Sequence, residues 1–64
     1  MNGSQRRALE YVKNTNGGAT QAYFIDDHAP IGEILWRDIE GSGFAKVNAA
    51  GFIELTKLGE AALL

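Results

Sequence analysis

The sequence has no cysteine, and it has only one histidine, one proline and one tryptophan in 64 residues. Without cysteine there is no disulfide framework and no thiolate zinc site. A lone histidine, His28, cannot hold a metal unless several carboxylates converge on it. Long hydrophobic runs are also missing. No apolar stretch approaches the roughly 18 residues that a membrane span needs. The opening stretch, MNGSQRRALEYVK, lacks the apolar run of a signal peptide. The expectation is a cytoplasmic protein that meets no membrane. Positive charge is scarce as well. Six Lys and Arg against eight Asp and Glu give a formal net charge of −2. Neutralised phosphates supply most non-specific affinity for DNA. A nucleic-acid binder of this composition must therefore gather its few cations on one face.

What remains is a chain in which 45% of residues are apolar. Its length predicts one domain, 1–64. A domain this small buries roughly 60% of its unfolded surface, so its core is marginal without help from a partner subunit. Ser4 is a candidate helix cap, and residues 5–14 read as a helix with Ala8, Leu9 and Val12 on one face and Tyr11 at its edge. Asn14-Thr15-Asn16-Gly17-Gly18 is a stop signal, because glycine and asparagine tolerate positive φ. Thr20 caps the next helix, 21–27, with Phe24 and Ile25 inward and Ala22 small enough for a close helix approach.

Pro30 sets the following boundary, since proline is tolerated at the first helical position and drives the preceding residue out of the helical region. The third predicted helix runs over 30–40. At 100° per residue, Ile31, Leu35 and Ile39 form one stripe, with Gly32 and Trp36 beside it. Glu33, Arg37 and Glu40 share the opposite arc, and Ile34 falls at its border. Gly41 or Gly43 ends the helix. Residues 44–48 and 52–55 read as strands joined by Ala49-Ala50-Gly51, with Gly51 left-handed. Thr56 caps a last helix, 57–64, whose apolar residues are Leu58, Ala61, Ala62 and Leu63.

The order is helix, helix, helix, hairpin, helix, an α+β arrangement. Two segments carry a resemblance. Leu35-Trp36-Arg37-Asp38-Ile39-Glu40-Gly41-Ser42-Gly43-Phe44 looks like the end of a winged-helix recognition helix. Ile53-Glu54-Leu55-Thr56-Lys57-Leu58-Gly59-Glu60-Ala61 is similar to the segment that leaves the wing in such proteins. The chain thus resembles winged helix-turn-helix regulators of the broad MarR and PadR type. That resemblance implies double-stranded DNA as partner, with the third helix in the major groove. On it, Gly32 and Glu33 face bases and Arg37 meets a guanine or a phosphate. Lys46 and Asn48 of the wing, with Thr20 and Gln21 at the second helix start, meet the backbone. The sequence departs from the family in a short wing whose one charged residue is Lys46, and in two glutamates to one arginine on the third helix.

Winged helices also serve as protein-interaction modules, and the acidic balance suits that alternative. Ile34, Leu63 and Leu64 are candidates for a homodimer interface. Trp36 reads as core. Arg6 and Arg7 read as exposed cations at an unfavourable helix end. Asp26, Asp27 and His28 are the sole cluster with catalytic residue types, and adjacent aspartates diverge on a helix. The sequence carries no phosphate-cradling glycine motif and no nucleophile with a matching base. The expectation is a non-enzyme without metal or cofactor.

Overall fold

The computed structural model describes residues 2–64. The first helix, α1, spans Gly3–Thr15. It starts earlier than expected because Asn2, not Ser4, is the cap. The Asn2 side chain accepts from the Gln5 N–H, and the Gln5 side chain reaches back to the Asn2 N–H. This reciprocal capping box satisfies two otherwise orphaned donors, and Ser4 lies inside the first turn. Asn16 ends α1 in the left-handed conformation, followed by Gly17, also at positive φ.

Helix α2 is Gln21–Asp27, capped by Thr20 as expected. Helix α3 is Gly32–Gly41. Pro30 is therefore not its first residue. It sits in a turn over 28–31, after a cis Ala29–Pro30 peptide. In that turn the Ile31 N–H donates to His28. Ile31 then takes the cap position and accepts from the Leu35 N–H, with no side-chain cap. Gly43 terminates α3 at positive φ. The Phe44 N–H reaches Ile39 and the Gly43 N–H reaches Glu40. These two bonds are the paired closure that glycine-terminated helices use for their last carbonyls.

Strands β1, Ala45–Val47, and β2, Ile53–Leu55, form an antiparallel pair in the register Ala45↔Leu55, Lys46↔Glu54 and Val47↔Ile53. Gly51 is left-handed, as the turn requires. The Ile53 N–H also donates to the Ala19 carbonyl at 2.9 Å. The segment between α1 and α2 is thus tied to the sheet by one rung. Helix α4, Lys57–Ala62, is capped by Thr56, which accepts from the Gly59 N–H. The Thr56 hydroxyl also donates to the Gly43 carbonyl, and its N–H to Phe44. One residue therefore anchors α4 to the end of α3.

The core joins Ala8, Leu9 and Val12 of α1, Phe24 of α2, Trp36 and Ile39 of α3, and Ile53 of β2. Phe24 sits at its centre, edge-on to both Tyr11 and Trp36 with ring centroids 5.5 Å apart in each case. Two glycines let backbones touch. A Cβ on Gly32 would stand 2.1 Å from the Ile25 carbonyl oxygen, and one on Gly59 2.0 Å from that of Phe44. The close approach of α2 to α3 is therefore made by Gly32. Ala22, expected in that role, is exposed.

Candidate interface on the third helix

The inward face of α3 is Gly32, Trp36 and Ile39. This corrects the stripe read from the sequence. Residues spaced by four drift about 40° per step, so Ile31, Leu35 and Ile39 fan over about 80°. The core takes the Ile39 end of that fan. Leu35 is half-buried at the border, and Ile31 is 49% exposed. Ile34 is 70% exposed and stands at the crest.

Beside that crest lies a shallow groove of about 310 Å³. Its floor is Ala29, Pro30, Ile31 and Leu35, and Arg7 and His28 stand at its rim. Gln5 of α1 donates to the Asp38 carboxylate at 3.0 Å, which fixes the start of α1 along this flank of α3. Arg7 makes no ion pair among the described residues.

The other flank of Ile34 holds Glu33 and Arg37. Their side chains meet at 2.7 Å as an exposed i, i+4 pair. Such a pair is worth a few tenths of a kcal/mol, but it turns the guanidinium toward its own helix. Lys46 lies opposite Glu54 in the hairpin register, with Nζ 3.9 Å from the carboxylate. The two cations expected to meet DNA are thus each beside a glutamate of the same chain.

The remaining expected site residues fall as follows. Gly32 is buried against Ile25 and cannot face a ligand. The Asn48 side-chain carbonyl accepts from the Ala50 and Phe52 N–H groups, so its oxygen is used in building the hairpin turn. Thr20 accepts from the Tyr23 N–H as a cap, and Gln21 is exposed. Leu63 is half-buried and packs against the domain's own core, whereas Leu64 is fully exposed.

In the Asp26–His28 cluster, Asp27 and His28 both contact neighbouring aromatic residues. The Tyr11 hydroxyl donates to Asp27 at 2.6 Å. That bond, then burial, then the charge of Asp27 push the Tyr11 hydroxyl up to about 12. His28 stacks on Phe24 with centroids 4.1 Å apart. Its Nδ1 is 2.7 Å from the Phe24 carbonyl. A carbonyl only accepts, so Nδ1 carries the proton. Among the described residues no three His, Cys, Asp or Glu side chains are grouped to hold a metal ion. No helix among them is long and apolar enough to cross a membrane.

The groove and the part of Arg7 in it were missed by sequence reasoning. The signal was there in the Pro30-Ile31 pair preceding the helix, which leaves Ile31 outside the regular wheel. Comparison with protein-family models, with curated proteins and with solved structures finds no match to this chain.

Proposed function

We propose that this chain is a winged helix-turn-helix domain that binds a protein partner through the outward face of α3. The winged-helix reading is supported by three helices followed by a hairpin, with the segment before α2 hydrogen-bonded to β2 through Ala19 and Ile53. The observation that carries the docking reading is the outward pair Ile31 and Ile34, at 49% and 70% exposure. They stand on the part of the helix that a DNA reader presents to base edges. Base edges are read by hydrogen-bonding side chains such as arginine, asparagine and glutamine. Around these isoleucines α3 offers Glu33, Asp38 and Glu40 against one cation, Arg37, which is already paired with Glu33. Large exposed aliphatic side chains at a helix crest fit a protein surface better than a phosphate backbone.

DNA binding is the second reading, favoured by the helix-turn-helix layout and by a hairpin that displays Lys46. The two readings part in a titration of the isotopically labelled chain with mixed-sequence duplex DNA at low salt. The docking reading predicts unmoved amide resonances from 31 to 38 and in the hairpin. Shifts at Glu33, Arg37 and Lys46 that reverse with added salt would establish DNA binding instead. On that outcome Lys46→Ala should weaken affinity and flatten its salt dependence by about one unit of slope.

A further inference from the structure

We propose that the groove between the start of α1 and the turn before α3 is filled by the Ile34 crest of a second copy of this chain. The proposal rests on the reading of α3 as a docking face, and it names the partner. Knob and groove lie on one face of the domain. Ile34 is the knob, and Ile31 and Leu35, on the flank next to it, form part of the groove floor. A patch that holds both halves of a contact can pair with itself about a two-fold axis, so that each knob enters the other copy's groove. The pairing closes about that axis.

Charge favours the same partner. The lone cation of the groove, Arg7, makes no ion pair among the described residues. On α3 Glu33 and Arg37 offset each other, and the exposed carboxylates of Asp38 and Glu40 have no ion-pair partner among the described residues. Entry of one crest into the opposite groove brings carboxylates toward Arg7, and the symmetry repeats the contact. Ala29, Pro30, Ile31 and Leu35 give the groove an apolar stretch that takes a branched aliphatic side chain, beside the polar Ser4, Arg7 and His28. The occupant supplied by this chain is an isoleucine. A 64-residue domain with a marginal core also gains from covering such a face.

The test is sedimentation equilibrium of the full chain from micromolar to millimolar concentration. The expected result is a mass that rises from 6.9 kDa toward twice that value. Ile34→Glu should raise the dissociation constant about a hundredfold, and Arg7→Glu should weaken association with it. Both variants should keep the wild-type circular dichroism, because both residues are exposed. Leu58→Glu, on the exposed face of α4, should associate as the wild type does. A wild-type chain that stays at 6.9 kDa throughout overturns the second copy as occupant. So does association that is lost in Leu58→Glu and kept in Ile34→Glu. Neither result touches the docking reading, whose own failure is read in the DNA titration.

Discussion

Replacing Gly32 by alanine is the sharpest test of how α3 is seated. The new Cβ would lie 2.1 Å from the Ile25 carbonyl oxygen and 2.7 Å from two further backbone atoms of that residue. Backbone cannot rotate aside as a side-chain end can. To restore ordinary contact the separation must grow from 2.1 to at least 3.4 Å, which moves α2 and α3 apart. That movement loosens the Phe24–Trp36 contact at the core centre. Overpacking of this kind costs about 1–3 kcal/mol, and more where the neighbour is rigid. Alanine's better helix propensity returns at most about 1 kcal/mol. Because the obstructing atoms are backbone, the upper end of that range applies, and a net loss of about 2 kcal/mol is expected, from a total of roughly 3–10 kcal/mol for a chain of this size. At about 4–8 °C per kcal/mol, the thermal midpoint should fall by at least about 8 °C. Gly41→Ala is the internal control, since it is helical with nothing within 4 Å of the added atom. It should gain up to about 1 kcal/mol. Thermal melts followed by circular dichroism read both. A Gly32→Ala variant that melts at or above the wild type refutes the close approach, and returns Gly32 to the base-facing place that the winged-helix resemblance implies.

Tyr11→Phe removes the bond to Asp27 and should cost about 1 kcal/mol at neutral pH. The folded-state pKa of Tyr11 is raised from 10.0 to about 12, so its stabilisation is complete below pH 10 and lost as pH rises through 12. Denaturant melts across that window should show the loss in the wild type and not in Tyr11→Phe. Thr56→Ala deletes the α4 cap and the bond to Gly43 together. Its expected cost is about 1–2 kcal/mol by chemical denaturation, and a change under about 0.3 would mean that α4 does not depend on this anchor. Trp36 is 1% exposed and its indole N–H is buried without a partner. Trp36→Phe should therefore stay within about 1 kcal/mol of wild type, since it also removes an unsatisfied donor. Trp36→Ala should cost about 3–5 kcal/mol in the same assay.

Much of the architecture was legible because it is written in local chemistry. Thr20 and Thr56 announce their helices, since a hydroxyl accepting from the third residue onward is a local arrangement. Gly43 and Gly51 mark a helix end and a turn for a similar reason, as both need positive φ. The first cap was misassigned because Asn2 and Ser4 are both good caps. Only the reach of Gln5 back to Asn2 decides between them. The site was less legible. Gly32 looked available to a ligand because glycine carries no mark of burial, and only the approach of Ile25 reveals its place.

The orientation of α3 was harder still, and the reason bears on function. Periodicity shows where apolar residues recur, not which of them the core takes. On this helix apolar residues run from Trp36 and Ile39 through Leu35 and Ile31 to Ile34, with only Asp38 between. A helix that needs a single seam shows a narrower apolar stripe and a wider polar arc. Here one end of the band seats the helix on Phe24, and the other end stands in solvent at the crest. The reading ambiguity at Ile34 thus has a physical source. The helix has more apolar surface than its own domain covers, and the proposed docking of another chain rests on that excess.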